Sequence, residues 1–151
     1  MKKNKILSLF IFFNFISFII GFIYLEEHGA SILDANLHTY PAIEGLRLNF
    51  FNNIVNYGKY GENSYPLHHI MHALLNPFGT GTFLYKIFSC LLSGLVLFFF
   101  YKSLNLRFKI TQIKAIFVTS LILISPYFRS SAFWGLTENT GLIFLTISIF
   151  F

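Results

Sequence analysis

Residues 6–25 read ILSLFIFFNFISFIIGFIYL, an apolar run without a charged side chain. A helix of about 20 such residues is long enough to cross the hydrocarbon core of a bilayer. Lys2, Lys3 and Lys5 precede the run, and Glu26 and Glu27 follow it. A cleaved signal peptide has a shorter apolar core and a cleavage site of small residues, which this pattern does not match. The stretch therefore predicts an uncleaved membrane anchor.

The rest of the chain also has the composition of a membrane protein. Of its 151 residues, 55% are hydrophobic, 20% are aromatic and only 11% are charged. A soluble domain of this size would expose far too much apolar surface to water. Further apolar runs cover 83–101, 110–127 and 133–151. We expect one all-α, polytopic membrane domain over 1–151, with about four transmembrane helices by length. Cys90 is the single cysteine, so neither a disulfide framework nor a zinc motif is indicated.

The basic residues predict the orientation of these helices. They flank the apolar runs instead of forming one polar face, so the net charge of +5 does not indicate nucleic-acid binding. With a cytoplasmic N-terminus, seven of them lie inside and four outside, which agrees with the positive-inside rule. The same orientation places all six carboxylates outside. Polar chemistry is therefore expected on the outer side. Separately, the bias of the composition towards Phe, Ile, Asn and Lys is typical of a bacterial inner-membrane protein.

The outer loop over 26–82 is too long to be a simple connector. Apolar residues recur every three or four positions over 40–57, after Thr39 as a plausible N-cap and Pro41 in the first turn. The same periodicity returns over 66–76 and stops at Pro77. Both segments are predicted to be amphipathic helices that lie in the membrane interface.

Four places in the chain are candidates for a functional site, and Asp34 is the first. It follows the first span closely, near the outer surface where a lipid-borne substrate presents its head group. A carboxylate there can accept a proton from a hydroxyl nucleophile. The alternative is a solvated loop residue or a helix cap.

Three histidines lie on the second predicted loop helix. His68 and His72 are four residues apart, and His69 and His72 are three apart, so two imidazoles can share a face, as in helical metal sites. No acidic residue is interleaved to complete a ligand set, so a divalent metal is not favoured and no cofactor is expected. Histidines that recognise a phosphate or a sugar hydroxyl are preferred to a metal site. The alternative is interfacial histidines that simply face lipid head groups.

Two charged residues near the last spans complete the set. Arg129 follows the third run, where a guanidinium suits phosphate recognition but also suits a simple interfacial anchor. Glu138 lies within the fourth run, beside Thr137, Asn139 and Thr140. An acidic residue inside a span is costly unless it faces protein or water, so this cluster predicts a polar cavity. If the span begins later, Glu138 is an ordinary interfacial residue.

The layout resembles the N-terminal part of a glycosyltransferase of the GT-C fold. The features that carry the likeness are a long outer loop with an early Asp, the segment YPLHH at 65–69, and SPYFR at 125–129 leading into TEN at 137–139. Such enzymes are polytopic and take sugars from polyprenyl- or dolichyl-phosphate donors. They have roughly twice as many spans as this chain, so we expect a fragment without activity of its own.

The resemblance assigns roles to the candidate residues. It makes Asp34 the catalytic base, while Arg129 and His68 or His69 neutralise the donor phosphate and Glu138 shapes the pocket. The expected partners are membrane lipid, a polyprenyl-phosphate sugar donor and a glycan or lipid acceptor. Two other classes stay open: a fragment of a transporter, and a non-catalytic membrane subunit or assembly factor. Further outer loops downstream would favour the transferase, and an inverted repeat would favour transport.

Overall fold

The computed structural model describes residues 2–24, 30–59, 66–108 and 110–151, without the side chains of residues 2 and 3. Glu26, Glu27 and Glu62, which the sequence places on the outer side, lie outside these ranges. Within them the chain is helical and contains no strand, as expected. The α-helices are α1 (Lys2–Ile23), α2 (Ala30–Asp34), α3 (Tyr40–Leu48), α4 (Phe50–Val55), α5 (Pro66–Leu75), α6 (Phe83–Phe108), α7 (Gln112–Ser120), α8 (Pro126–Trp134) and α9 (Thr137–Phe150).

Among the described residues, two helices are long and apolar enough to cross a membrane: Asn4–Ile23 of α1, and α6. A third crossing is present if α7, the 3-10 turn Leu121–Ile124 and α8 together form one span, which bends by 69° at Ser125. Helix α9 has 14 residues, short of the roughly 20 that a full crossing needs. The expected count of four spans is therefore not confirmed.

A separate helix, α8, covers the predicted boundary between the last two spans. Pro126 lies in the first turn of α8, where a missing N–H costs nothing. The helix ends at Gly135, whose φ of +67° is in the left-handed region that favours glycine. Residues 126–134 thus form one helix across the end of the third predicted span and the start of the fourth.

Pairs of contacts give the directions of the long helices. Phe10 meets Phe117 and the Asn14 amide donates to the Ser120 hydroxyl at 2.9 Å, so α1 and α7 run the same way. Phe22, near the end of α1, contacts Phe83 at the start of α6. We call this the loop end of the bundle, because the segment between α1 and α6 begins and finishes there. Helix α6 therefore runs opposite to α1.

Helix α9 packs beside α6 and runs in the same direction. The Asn139 amide donates to the Ser93 hydroxyl at 2.9 Å, and further along both helices Phe99 contacts Phe150 with ring centroids 5.6 Å apart. A buried amide that bonds across helices satisfies a polar group that lipid cannot. Helix α9 accordingly starts at the loop end and leads away from it.

The first predicted loop helix, over 40–57, is wrong in its extent. The chain is already helical from Ala30 and reaches Leu48 through a π-helical turn at Ala35–Thr39, so Thr39 is inside a helix and makes no cap. The wide turn lies directly before Pro41, which has no N–H to continue the α-helical ladder. Asn49 then breaks the helix with an extended backbone, and its side chain accepts from the Asn52 N–H to start α4.

The second predicted loop helix is confirmed as α5, Pro66–Leu75. Arg47 of α3 donates to the carbonyl oxygens of His72 and Asn76, at the end of α5 where the helix dipole favours a cation. Glu44 accepts from Arg47 at 2.9 Å and from the Thr80 N–H at 3.1 Å. The loop helices are therefore tied to one another. Their position in a membrane interface stays a prediction.

The loop helices also pack on the bundle. The Tyr40 hydroxyl donates to the Trp134 carbonyl oxygen at 3.1 Å, and the Tyr40 ring meets the Tyr85 ring edge-on. Ile43, Tyr85 and Phe133 are completely buried in this region. The core thus joins α3 to the start of α6 and the end of α8.

Candidate functional site between α5 and α9

All three histidines of α5 are buried in the core. His68, His69 and His72 are 2%, 0% and 2% exposed. The rings of His68 and His72 lie 4.5 Å apart between centroids, and His72 also packs on Tyr85 of α6. The apolar residues of α5 at Leu67, Leu74 and Leu75 are the exposed ones. The histidine stripe is therefore the inner face of the helix, whereas the sequence predicted only an amphipathic helix in the membrane interface.

His68 holds the turn between α8 and α9. Its Nε2 lies 2.9 Å from the Gly135 carbonyl oxygen, which can only accept, so Nε2 carries the proton. Nδ1, 2.7 Å from the Thr140 hydroxyl, is then the acceptor. Burial, together with His72 and His69 nearby, holds the pKa of His68 well below its usual value. His68 is thus neutral, and both of its ring nitrogens are occupied.

His69 and His72 are neutral as well. Burial lowers the pKa of both rings to about 4, with His69 and Arg47 adding to the effect at His72. The Tyr57 hydroxyl bonds to His69 Nδ1, and burial raises the pKa of Tyr57 to about 12. Tyr57 therefore keeps its hydroxyl proton, and the neutral hydroxyl and His69 Nδ1 share one hydrogen bond. Within the described residues, His69 Nε2 and His72 Nδ1 are buried without a hydrogen-bond partner.

A cleft of about 410 Å³ opens between α5 and α9. Glu138, exposed in the first turn of α9, lines it together with His68, Thr137 and Thr140. Leu67 and Phe144 give it apolar walls. A carboxylate is favourable at this position because the N-terminal end of a helix carries partial positive charge. The structure thus brings two of the predicted site residues, Glu138 and His68, to one cleft.

Arg129 lies elsewhere, within α8 and against α1. It is 8% exposed, and it donates to the Ser17 hydroxyl at 3.1 Å and to the Ser17 carbonyl oxygen at 3.2 Å. Its guanidinium also lies 5.7 Å from the centroid of the Phe133 ring. Arg129 does not line the α5–α9 cleft. These contacts join the short helix α8 to α1. They use the guanidinium N–H groups to which the resemblance gave a donor phosphate as partner.

Asp34 is exposed at the last position of α2. One turn earlier, the hydroxyl of Ser31 is hydrogen bonded to that of Ser130 in α8. Ser130 of α8 therefore contacts α2, the helix that carries Asp34. Gly135, directly after α8, contacts His68 in the wall of the cleft. Asp34 itself does not line the cleft.

The described residues lack a cluster of metal ligands. In these parts of the chain, no group of three His, Cys, Asp or Glu side chains could hold a metal ion. At His68 both nitrogens already have partners. The cleft itself offers one carboxylate and two hydroxyls, all of which can form hydrogen bonds to a ligand.

Sequence reasoning missed one residue that builds the site and gave another a different role. Gly135, the missed residue, supplies the left-handed turn whose carbonyl binds His68. Asn139, expected in a polar cavity, donates to the Ser93 hydroxyl and, at 3.0 Å, to the Phe128 carbonyl oxygen, so it fixes α9 to α6 and α8. The partners of both residues are distant in sequence. Comparisons of the chain with protein-family models, with curated proteins and with solved structures find no match.

Proposed function

We propose that this chain is the N-terminal part of a membrane glycosyltransferase that moves a sugar from a polyprenyl-phosphate donor to an acceptor hydroxyl. The observation that supports it best is the α5–α9 cleft, which combines Glu138 and two threonine hydroxyls with apolar walls. A lipid-linked sugar is amphipathic in the same way, since hydroxyls bind to polar groups and the isoprenoid chain binds to apolar ones.

The proposed chemistry assigns one step to Asp34. Its carboxylate takes the proton of the acceptor hydroxyl, and the oxygen attacks the anomeric carbon. The bond from that carbon to the phosphate oxygen breaks, and the polyprenyl phosphate leaves with both bonding electrons. Exposure of Asp34 on a helix packed against α8 leaves it accessible to an acceptor from the aqueous side.

The contacts refine the roles of the other residues. Glu138 binds the sugar hydroxyls, because it is an exposed acceptor in the cleft. His68 positions the wall of the cleft, because its nitrogens bind Thr140 and Gly135. Arg129 holds α8 against α1 and would reach a donor phosphate only by exchanging its bonds to Ser17.

The test is sugar transfer in membranes that contain the complete enzyme. Asp34→Asn is expected to abolish transfer from a radiolabelled polyprenyl-phosphate sugar, with unchanged expression and membrane insertion. Glu62→Gln removes a carboxylate from the same loop and serves as the control, with expected activity near wild type. Transfer by Asp34→Asn at the wild-type rate would refute the assignment of the base.

A second candidate function is a non-catalytic membrane subunit. The observation in its favour is that His68 and Arg129 are used in packing contacts. This candidate predicts that Asp34→Asn and Glu138→Gln both leave the activity of the assembled complex unchanged. The same transfer assay therefore separates the two.

A further inference from the structure

A groove runs along α6 and α7 at the end of the bundle opposite the loop end. Its wider part, about 550 Å³, is lined by Lys102, Asn105 and Gln112 together with aromatic rings. A narrower part, about 330 Å³, is apolar and continues towards the middle of α6. Phe98 and Tyr101 line both parts, so the two parts are neighbours along α6, and together we call them the α6–α7 groove.

The polar part of the groove lies in a basic region. Lys102 is exposed, with its ammonium 5.6 Å from the Phe98 ring, and Arg107 and Lys114 are exposed on the same end of the bundle. The sequence has no Asp or Glu between Glu62 and Glu138, so the segment that carries these cations has no acidic side chain of its own. A basic cluster at the end of membrane helices attracts anionic lipid head groups.

The apolar part of the groove offers almost no polar group to a ligand. Its walls include Phe15, Leu97 and Ile116. Thr119 also borders this part, but its hydroxyl is buried and closed to the groove. The neighbouring Ser120 hydroxyl is already bonded to Asn14 and to the Phe117 carbonyl oxygen. This part of the groove therefore suits an acyl chain.

We propose that the α6–α7 groove binds one anionic phospholipid. Its phosphate lies among Lys102, Asn105 and Gln112, and an acyl chain follows the apolar wall that includes Ile116. The ligand combines a negative charge with a long apolar chain, and the groove offers a cation and an apolar wall side by side. The site is independent of the proposed transferase, because Glu138 is at the loop end and this groove is at the other.

Native mass spectrometry of the detergent-solubilised chain tests the head-group contact. Titration with palmitoyl-oleoyl phosphatidylglycerol is expected to give one retained lipid, while the phosphatidylcholine with the same chains is retained at least about fivefold less well. Lys102→Gln should weaken phosphatidylglycerol retention about fivefold, because it removes the cation that lines the groove beside the phosphate. Lys114→Gln makes the same charge change outside the groove, where solvent and salt screen the charge, and should stay within about twofold of wild type.

A second pair of variants tests the apolar part. Ile116→Trp fills the groove and should lower phosphatidylglycerol retention at least about fivefold. Leu121→Trp adds the same ring to the same helical segment, but outside the groove. Leu121 and Ile116 have similar exposure, 41% and 38%. Equal retention of the two lipids, equal effects of the two lysine variants, or a dimer of this chain in place of bound lipid would each overturn the proposal.

Discussion

His68 Nε2 donates to the carbonyl oxygen of Gly135 at 2.9 Å, across 67 residues of sequence. The acceptor belongs to the one residue between α8 and α9 with a left-handed backbone. The bond therefore ties the loop helix α5 to the turn that starts α9. The contact also fixes the position of α5 relative to α9 at the cleft that carries the proposed function, because His68 and the first turn of α9 both line that cleft.

Replacing Gly135 should disturb that turn strongly. A Cβ at this position would lie 2.8 Å from the Ser89 hydroxyl and 3.0 Å from the Tyr85 ring, on a backbone that L-residues rarely adopt. We expect Gly135→Ala to lower the free energy of unfolding by about 2 kcal/mol or more. Thermal unfolding in detergent measures the effect. Gly94→Ala, where a Cβ meets nothing within 4 Å, is the control and should be neutral or stabilising.

Acid should destabilise the fold through the histidine cluster. His69 and His72 have folded-state pKa values of about 4, below the value of about 6.5 in the unfolded chain. The unfolded state then binds more protons between these values, so stability is complete above pH 6.5 and falls as the pH approaches 4. We expect a loss of about 2 kcal/mol per ring between pH 7.5 and pH 5, measured by unfolding in detergent at both pH values.

The variant that isolates this effect is His72→Phe. A phenyl ring keeps the stacking on His68 and Tyr85 and removes the buried Nδ1 that has no partner. It should reduce the pH dependence by about 2 kcal/mol while leaving stability at pH 7.5 unchanged or higher. The wild-type chain, unfolded at the same two pH values, is the reference. An acid loss in His72→Phe as large as that of wild type would contradict the assignment.

The planar, two-pronged geometry of the Arg129 guanidinium should contribute more to the free energy of unfolding than its positive charge does. Its two bonds to Ser17 use two separate N–H groups of the guanidinium, a geometry that an ammonium does not reproduce. We expect Arg129→Lys to lower stability by about 1–2 kcal/mol. Arg107→Lys, at an exposed position, keeps the same charge and should change it by less than about 0.5 kcal/mol. If Arg129→Lys and Arg107→Lys have the same unfolding midpoint, the paired bonds from Arg129 to Ser17 do not stabilise the fold.

The orientation of the chain can be measured by labelling. In a Cys90→Ser background, Asn63→Cys should react with a membrane-impermeant maleimide added from outside, because the loop between α1 and α6 is predicted to be external. Lys114→Cys lies at the opposite end of the bundle and should react only after permeabilisation. The reverse pattern would place Asp34 and Glu138 on the cytoplasmic side and remove the proposed donor from their reach.

The long apolar runs by themselves predicted an all-helical membrane protein, because about 20 apolar residues in a row leave a helix in lipid as the stable state. The run at 6–25 and the start of the run at 83 are such segments, and the structure has α1 and α6 there. Local signals also located α5, which begins at Pro66 and ends just before Asn76. Each of these depends on residues that are neighbours in sequence.

Tertiary contacts decided the site. Periodicity placed Leu67 and His68 on one short helix but did not show which side of the helix faces inward. The inward orientation of the histidines depends on their contacts with Gly135, Thr140 and Tyr57, which are distant in sequence. The same holds for Arg129, whose donors are directed by Ser17 on α1. The sequence determined which segments are apolar enough to be buried in lipid instead of exposed to water. Only the packed helices decided which polar groups meet, because a buried hydrogen bond needs two partners and the chain carries them far apart.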